Sequence, residues 1–379
     1  MPEILPNVDM SEPKYKQIAK HLYDEIAAGA YHPSGRLPSE SQLVQQFRVS
    51  RPTAARALRD LQDQGLIERR AGSGSYVRSG PAGKNGRQLG LLAPEIGSTE
   101  IFEVICGDLA RLARVHDCGL IWGGRKSPDA AKDVEYENAE AICRHFVESN
   151  VSGVFFAPFE HIPNRDEKNQ RLADRLHQAG ISVILLDRDL VSFPQRSAYD
   201  LVEIDNFTAG YIVAEHLLKL GCERLLFLKP PSSAPTVTRR MAGALEAIRA
   251  AGCHSPPNFV CEQDVDDPKL MEALHPNHGV DGVICANDRV AATLLQSLAK
   301  TGIRVPHQLR LVGFDDVNYA ALLSVPLTTM QQPCRQMAAV AFRAMLDSIE
   351  ERDIPPRCYQ LPARLVIRES CGAYLKANK

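Results

Sequence analysis

The residues best placed for chemistry near the start of the chain lie on one side of a helix predicted from Arg51 to about Gln64. Ser50 can cap this helix. Its apolar residues recur at helical spacing and form a stripe that would be buried: Ala54, Ala57, Leu58 and Leu61. The side left outside is basic and carries a hydroxyl group: Arg51, Thr53, Arg56 and Arg59. Such a face suits the major groove of DNA, where side chains hydrogen-bond to base edges and phosphates.

Two earlier helices are predicted to position that face. Ser39 can cap a helix that runs to about Phe47, and Gln42 stands three residues later, as a capping box requires. An amphipathic opening helix precedes both, and its apolar face consists of Tyr15, Ile18, Leu22 and Ile26. The order of these elements predicts a helix-turn-helix.

A basic hairpin follows and makes the prediction a winged helix-turn-helix. Residues 66–70 and 75–77 predict two strands, and residues 71–74 supply the glycines of a tight turn. Arg69 and Arg70 stand beside bare backbone at Gly72, so the hairpin can approach phosphates or the minor groove. The segment from Gly35 to Arg78 holds eight arginines against four acidic residues, a net charge of +4, whereas the whole chain carries −2. This local charge fits a DNA contact, and a solvated basic helix is the alternative.

The motifs of this segment resemble the DNA-binding domain of the GntR family of bacterial transcription factors, over about residues 13–77. The shared pattern reads LPSE, then VSR followed by a threonine, an arginine-bearing helix and a G-x-G wing. The resemblance implies base or phosphate contacts by Arg51 and Thr53. Ser41 and Ala55 stand where many relatives carry arginine, so no operator sequence is implied. The predicted DNA-binding set is Arg36, Ser39, Ser50, Arg51, Thr53, Arg56, Arg69, Arg70 and Gly72.

Length and composition limit the remaining possibilities. The chain has 379 residues, 44% of them hydrophobic, which allows this small module and a large two-lobed unit. There is no run of eighteen apolar residues, and the opening MPEILPNVDM lacks the basic-then-apolar order of a signal peptide, so we expect a cytoplasmic protein. Ten cysteines without a C-x-x-C pair predict reduced thiols. His275 and His278 are interpreted as surface loop, and no metal or cofactor is expected.

Beyond residue 87 the sequence repeats one unit, in which a short apolar run is followed by a helical stretch. This alternation predicts an α/β fold with two lobes, each a doubly wound parallel sheet covered by helices, and a ligand cleft at the carboxyl ends of the strands. The predicted domains are a DNA-binding domain at 1–78, a linker at 79–87 and a ligand-binding domain at 88–379. The first lobe is predicted at about 88–200 and 331–352, and the second at about 201–330 and 353–379.

Polar residues follow several of these strands, where they could converge on one ligand. They are Asp187 to Asp189, Asp205 with Asn206, Asn287 with Asp288, and Asp315 with Asp316. Carboxylates, amides and arginines at this position match a solute rich in vicinal hydroxyls. The alternative is that each residue only caps the next helix, which is at least as good an interpretation for Asp205 and Asp288.

Several segments of this region, among them VEIDNFTAGYIVAEHLLKLGCERLLFL, VICANDRVAATLL and RLVGFDDV, resemble the ligand-binding core of the LacI/GalR family of sugar-responsive regulators. The resemblance covers roughly residues 87–371, and the family's short DNA-binding headpiece and hinge helix are absent. It implies a periplasmic-binding-protein-like fold. It also implies an effector cleft lined by Asp187, Arg240, Asn287, Asp315 and Gln332, with Phe102 and the loop at residues 95–99 as further candidates.

Together the two resemblances imply a regulator, similar to arabinose-type repressors of this architecture. A sugar would close the cleft, and a homodimer would then gain or lose the spacing for a two-fold operator. The same regulator with a purine or nucleoside effector is an alternative, as is a solute-binding protein. An enzyme is not expected, because the sequence has no GxxxxGK[ST], HExxH or G-x-S-x-G motif.

Overall fold

The computed structural model describes residues 13–27, 31, 36–63, 66–70, 74–77, 87–93, 100–123, 132–160, 162–192, 194–231, 233–253, 258–265, 267–275, 277, 279–351 and 353–375. Two compact units are present. One comprises Met1–Leu89 with Gly107–Leu120, and the other Gly90–Cys106 with Ile121–Lys379.

The first unit contains the winged helix-turn-helix. Its elements are α1 (Lys14–Ala27), α2 (Glu40–Phe47), α3 (Arg51–Asp63) and the antiparallel strands β1 (Ile67–Arg70) and β2 (Gly74–Val77). The capping box of α2 is formed as predicted, because the Ser39 hydroxyl accepts from the Gln42 amide while the Gln42 side chain accepts from the Ser39 amide. Arg48 then adopts a left-handed conformation with φ of 50°, which ends α2 and turns the chain towards α3.

The core of this small domain comes from the predicted apolar stripes. Buried side chains of α1 and α3 pack together, and they are Ile18, Leu22, Ile26, Ala54, Ala57, Leu58 and Leu61. Burying one leucine or isoleucine side chain contributes about 1.5–3 kcal/mol. The stripe on α3 therefore fixes which side of that helix remains outside.

A six-stranded sheet of order β13-β7-β6-β5-β3-β4 forms the first lobe. Its strands are β3 (Gln88–Leu92), β4 (Gly119–Gly123), β5 (Gly153–Phe156), β6 (Ser182–Leu186), β7 (Asp200–Ile204) and β13 (Cys358–Leu361). The helices that pack with it are α5 (Lys132–Glu148), α6 (Arg165–Gln178) and α11 (Cys334–Glu350), and α4 (Glu100–Val115) lies between β3 and β4 in the chain. The sheet is parallel from β5 to β13, and its core includes Phe146, Phe156, Leu172 and Leu185.

The second lobe contains a sheet of order β14-β12-β11-β10-β8-β9. Its strands are β8 (Leu225–Lys229), β9 (Val260–Glu262), β10 (Gly282–Cys285), β11 (Arg310–Asp315), β12 (Thr328–Gln331) and β14 (Arg364–Val366). Its helices are α7 (Asn206–Lys219), α8 (Pro235–Ala250), α9 (Pro268–Ala273) and α10 (Asp288–Thr301). All pairings are parallel except that of β12 with β14. The predicted α/β class and parallel lobes are confirmed.

Two strands belong to a different lobe from the one expected. β7 pairs with β6, and β13 pairs with β7, so both lie in the first sheet although the sequence pattern assigns them to the second lobe. The chain therefore first crosses to the second lobe after Ile204, and it crosses again after Gln331 and after Leu361. A buried apolar run looks the same in either sheet, which is why alternation alone could not assign β7.

Neither a membrane-spanning helix nor a group of metal-ligating side chains is found in the part of the chain that the structure describes. No helix there is long and apolar enough to cross a bilayer. No three acidic, His or Cys side chains in this part of the chain group so as to hold a metal ion, and His278 of the H-x-x-H pair lies outside it. None of the ten cysteines forms a disulfide.

Candidate ligand cleft and nucleic-acid interface

The strand ends of the two lobes bring together a group of buried polar side chains. Asp187 and Arg188 follow β6 of the first lobe, Asp315 ends β11 of the second, and Gln332 follows β12 at a chain crossing. Arg240 reaches the group from α8. Asp187, Arg188, Arg240 and Gln332 are each only 4% exposed. Buried polar groups of this kind require partners, so their hydrogen bonds define what else the site can bind.

Arg188 is held by two carboxylates and an aromatic ring. Its Nε and Nη2 lie 3.0 and 2.9 Å from Asp187 Oδ2, and its Nη1 is paired with Glu160. The guanidinium carbon lies 5.4 Å from the centre of the Phe102 ring. Phe102, predicted to line the cleft, is thus buried beneath an arginine.

Arg240 is fixed within the second lobe. Its Nε donates to Asn206 Oδ1 and its Nη1 to the Ala286 carbonyl, each over 2.8 Å, and its Nη1 is 4.0 Å from Asp315 Oδ1. Its guanidinium carbon lies 4.6 Å from the centre of the Phe314 ring. The structure therefore brings Arg240 and Asp315 together.

Two acceptor atoms of this group have no hydrogen-bond partner. Asp187 Oδ1 and Gln332 Oε1 are both buried and unpaired, while Gln332 Nε2 donates to Asp315 Oδ1 over 2.8 Å. Asp187 also has φ of 68° and Asp315 φ of 112°, a conformation that non-glycine residues seldom adopt. Unpaired buried acceptors and strained backbone concentrate at sites that bind something else.

Burial and mutual repulsion change the protonation of the two aspartates. The pKa of Asp187 is raised to about 7, chiefly by burial; Arg240 opposes this shift, and the negative charges of Asp315 and Glu203 add to it. Burial likewise raises the pKa of Asp315, again opposed by Arg240. The pKa of Arg188 falls to about 9 because burial and the positive charge of Arg240 disfavour its charged form. These pKa shifts favour the uncharged forms of Asp187, Asp315 and Arg188.

The winged helix-turn-helix presents a separate polar surface around the start of α3. The Arg51 side chain is 75% exposed, and its Nε lies 3.2 Å from Glu40 Oε2. Ser50 caps α3, with its Oγ 3.4 Å from the Thr53 amide and 2.8 Å from Thr53 Oγ1. Ser39 is exposed and caps the start of α2, and Glu40, the first residue of α2, is the partner of Arg51. The hydroxyls and the guanidinium therefore lie at two adjoining helix starts.

Matches to known families follow the same division. Residues 14–77 match the bacterial regulatory proteins of the gntR family, and residues 214–371 match the periplasmic binding protein-like domain. The chain carries a gntR-family helix-turn-helix joined to a periplasmic-binding-protein-like domain. The gntR match ends with β2, whereas the binding-protein match begins within α7 and includes α8, β11 and the crossing at Gln332.

Individual relatives match the chain over different lengths. The arabinose metabolism transcriptional repressor of Halalkalibacterium halodurans is 26% identical over 353 residues, covering 90% of each chain. The ribose operon repressor of the same organism is 25% identical over 291 residues, covering 76% of this chain and 80% of the relative. The structure of the transcription regulator CcpA of Lactococcus lactis superposes with a TM-score of 0.62 at 21% identity, covering 75% of this chain and 99% of that one, a likeness of fold.

The other predicted DNA-binding residues of the gntR-type domain do not all lie at the start of α3. Arg56 is exposed but turns to α1, where its guanidinium stacks 4.0 Å above the Tyr15 ring. Arg36 bridges to the wing at Tyr76, with its Nε beside Gly74. Arg69 and Arg70 lie on β1, and Gly72 is outside the described residues.

In the binding-protein-like domain, helix caps account for some strand-end residues. Asn287 Oδ1 accepts from the Val290 amide over 2.9 Å and so caps α10. Asp205 caps α7 through Thr208, as the alternative interpretation held. Asn287, predicted to line the cleft, therefore has its carbonyl oxygen engaged, and residues 95–99 lie outside the described ranges.

Asp288 is not a cap, so that interpretation is wrong for this residue. Its carboxylate is fully buried and accepts from the Thr329 hydroxyl over 2.6 Å and from the Val317 amide over 3.1 Å. Burial and the nearby Asp315 raise its pKa well above the ordinary value. Asp288 thus ties the start of α10 to the segment after β11.

Sequence reasoning placed Arg188 at a strand end without including it among the residues that line the cleft. Its signal was present, because an arginine stood directly after Asp187 at the end of a buried apolar strand. Glu160, by contrast, is the fourth residue after β5 and gave no recognisable pattern. Its pairing with Arg188 depends on two loops that meet only in the folded lobe.

Proposed function

We propose that this protein is a sequence-specific transcriptional repressor whose operator affinity is controlled by a sugar bound between the two lobes. It would act in the cytoplasm, where its DNA is, and without catalysing a reaction. The gntR-type domain supplies the operator contact, and the binding-protein-like domain supplies the effector site. The names of the arabinose and ribose repressors among its relatives support this assignment.

The DNA contact is assigned to the exposed start of α3. Arg51 and Thr53 are the proposed base or phosphate contacts, and Ser39 and Ser50 the proposed backbone contacts. The wing arginines Arg36, Arg69 and Arg70, together with Gly72, would approach the adjacent phosphates or minor groove. Arg56 is the weakest member of the predicted set because its guanidinium already stacks on Tyr15.

The observation that carries the effector assignment is the pair of unpaired buried acceptors, Asp187 Oδ1 and Gln332 Oε1. A hydroxyl group donates one hydrogen bond and accepts others, so a sugar can satisfy both acceptors. Asp315 and Arg240 would complete the site at the second lobe. Phe102 would contribute from the first lobe.

The aromatic rings of the cleft favour a sugar over a purine or nucleoside. A planar base needs an open ring face on which to stack. The two phenylalanine rings beside the buried polar group already have a guanidinium above them, because Arg188 lies over Phe102 and Arg240 over Phe314. The site therefore offers hydrogen bonds more readily than stacking.

Control of DNA binding requires two copies of the chain. Half-sites of a two-fold operator lie about 34–36 Å apart for one helical turn, so a homodimer is the proposed binding form. To change operator occupancy from nearly full to nearly empty, the sugar must prefer one lobe arrangement about ten-thousand-fold, roughly 5.5 kcal/mol.

The proposal is tested with the full chain. Duplexes are selected from a random library, and the affinity of the selected duplex is measured by fluorescence anisotropy with and without L-arabinose, D-ribose, hypoxanthine and guanosine. We expect at least one sugar to weaken binding about tenfold or more, with no effect of hypoxanthine. A protein that selects no sequence, or that responds only to hypoxanthine or guanosine, would contradict the proposal.

A further inference from the structure

A buried ion pair joins the two lobes. Glu203 lies on β7 of the first lobe, and Arg239 lies on α8 of the second. Arg239 Nη1 donates to Glu203 Oε1, and the two side chains are 26% and 2% exposed. Neither residue belongs to the group of buried polar side chains at the strand ends. The lobes can make this ion pair only while they are close together.

Glu203 has two further donors within its own lobe. Gln360 stands opposite Glu203 in the parallel pairing of β13 with β7, and its Nε2 donates to Glu203 Oε1 over 3.0 Å. The Cys358 thiol donates to the same oxygen over 3.6 Å. The carboxylate therefore stays hydrogen-bonded if Arg239 moves away, and Arg239, which is partly exposed, can then bind water. Such an ion pair can separate and form again without leaving a bare buried charge.

The ion pair lies beside two of the chain crossings. Ile204 and Leu361 are the last strand residues before these crossings, and Glu203 and Gln360 immediately precede them. Domains rotate about a few residues at the ends of such elements, where the backbone angles change. Arg239 thus contacts, from the second lobe, the strand ends of the first lobe from which a rotation would start.

Arg239 is also coupled to the cleft through its neighbour in sequence. Arg240, the next residue of α8, donates to Asn206 and to the Ala286 carbonyl, both in the second lobe. Two consecutive arginines therefore tie α8 to the second lobe on one side and to the first lobe on the other. A rotation of the second lobe moves α8 with it and must break the ion pair of Arg239 with Glu203.

Hydrogen bonds at the strand ends join the same two lobes. Arg165, the first residue of α6, donates from Nη1 to the Ser233 carbonyl over 3.2 Å. The Asn318 amide donates to Oε2 of Glu100, the first residue of α4, over 2.6 Å. Ser233 precedes α8 and Asn318 follows β11, so both acceptor and donor come from the second lobe. Each of these contacts joins two protein groups directly and would be lost when the lobes separate.

We propose that Glu203 and Arg239 form a lock between the lobes, which supplies part of the free energy of lobe closure from the protein itself. The effect of this lock on sugar affinity rests on the proposed function, whereas the existence of the lock does not. Arg239 is then a positioning residue, because it acts through α8 and Arg240. Its removal leaves the sugar contacts in place but lowers the fraction of molecules with closed lobes, and the apparent affinity falls by the same factor.

The separation of the lobes is measured in the full chain by double electron–electron resonance. Spin-labelled non-canonical side chains are introduced at Arg171 on α6 and at Arg249 on α8, which are 66% and 75% exposed. We expect one narrow distance in the unaltered chain, and a second, longer distance in Arg239→Ala and in Glu203→Gln. Lys219→Ala breaks an exposed ion pair within α7 and should keep the narrow distance. A broad distribution in the unaltered chain, or the unaltered distance in both lock variants, would overturn the lock.

Sugar titration tests whether the lock contributes to the response. L-Arabinose and D-ribose are titrated calorimetrically, and we expect Arg239→Ala to weaken whichever sugar binds by about tenfold. Arg239→Lys keeps the positive charge and should recover most of that affinity. Saturating sugar should return Arg239→Ala to the narrow distance, which would also show that the variant is folded.

The two readouts separate failure of the lock from failure of the proposed function. If the distances change in Arg239→Ala but its sugar affinity does not, the role of the lock in the response is wrong. Binding of neither sugar to the unaltered chain would count against the proposed function alone, because the distances still decide whether the lock exists.

Discussion

Gln332 donates to Asp315 Oδ1 over 2.8 Å and keeps its own carbonyl oxygen buried without a partner. Gln332 stands at a chain crossing after β12, while Asp315 ends β11 of the second lobe. The crossing is thus tied to the second lobe on one side and has an open acceptor on the other. A ligand that donates to Oε1 contacts a segment through which the lobes are connected.

Changing this amide to an acid should remove the ligand response. Gln332→Glu replaces the donor beside Asp315 with a carboxylate, so two buried carboxyls would share one site and repel each other. We expect sugar binding to weaken about tenfold or more and the free energy of unfolding to fall by about 1–3 kcal/mol. Anisotropy should still show unchanged operator affinity in the absence of sugar.

The neighbouring Gln331 provides a matched control for that change. Its Nε2 donates to Asp316 Oδ2 over 2.7 Å, but its Oε1 also accepts from Arg364, which would balance a new negative charge. Gln331→Glu should therefore keep the sugar response. If both variants lost it equally, the effect would come from the loop and not from the open acceptor.

Asp187 should make the stability of the sugar-free protein fall as pH rises. Its pKa is about 7 in the folded protein, above its ordinary value, so the folded state binds a proton that the unfolded state releases. The free energy of unfolding that this proton contributes is fully present below the pKa of the unfolded state, and it is lost as pH rises through about 7. The slope from this one group is at most about 1.4 kcal/mol per pH unit.

The pH effect is measured by thermal or urea unfolding between pH 5 and pH 8. Asp187→Asn cannot titrate, so its stability should fall less over this range than that of the unaltered protein. Asp267→Asn, in the cap of α9, is the matched change outside the cleft. An identical slope in the Asp187 variant and the unaltered protein would show that Asp187 is ionised throughout.

The sequence predicted two features of the DNA-binding domain well, because each depends on residues that are close together in the chain. The capping box of Ser39 and Gln42 depends on residues three apart, and the buried stripe of α3 depends on helical periodicity, so both were readable. The lobe of β7 was not readable, since it depends on pairing with β6. Strand ends also identified Asp187 and Asp315, because parallel strands place their carboxyl ends at one edge.

Other features depended on contacts between distant segments. Asn287 and Asp288 are adjacent and both polar, yet the first caps α10 while the second is buried against Thr329. No spacing rule separates these two roles. The position of the Arg188 side chain likewise depends on its ion pair with Glu160, which belongs to the loop after another strand.

The recognition helix gives a prediction about DNA affinity. Arg51→Ala should weaken binding to the selected operator by about 1–3 kcal/mol and relax the preference at one base pair if Arg51 contacts a base. Arg249→Ala, an exposed helical arginine on α8 paired with Glu246, is the matched control and should have no effect. If Arg51→Ala instead weakened binding to all DNA sequences equally, and reduced the slope of log affinity against log salt concentration by about one, Arg51 would be a phosphate contact.

The crossing of α7 and α8 should be the most sensitive packing contact near the cleft. A Cβ at Gly210 would lie 1.9 Å from the Arg240 carbonyl oxygen, so the two helices approach only because this position has no side chain. Gly210→Ala must push α8 away and displace Arg240 from Asn206 and Ala286. We expect the free energy of unfolding to fall by about 1–3 kcal/mol, together with loss of sugar binding.

Gly107 is a matched helical glycine for this test. A Cβ there would have no atom within 4 Å, so Gly107→Ala should be neutral or raise the free energy of unfolding by about 0.5–1 kcal/mol through helix propensity alone. Chemical unfolding and sugar titration on both variants separate a general helix effect from the displacement of Arg240. Unchanged sugar affinity in Gly210→Ala would mean that α8 moves without carrying Arg240 with it, and the cleft assignment of Arg240 would then be wrong.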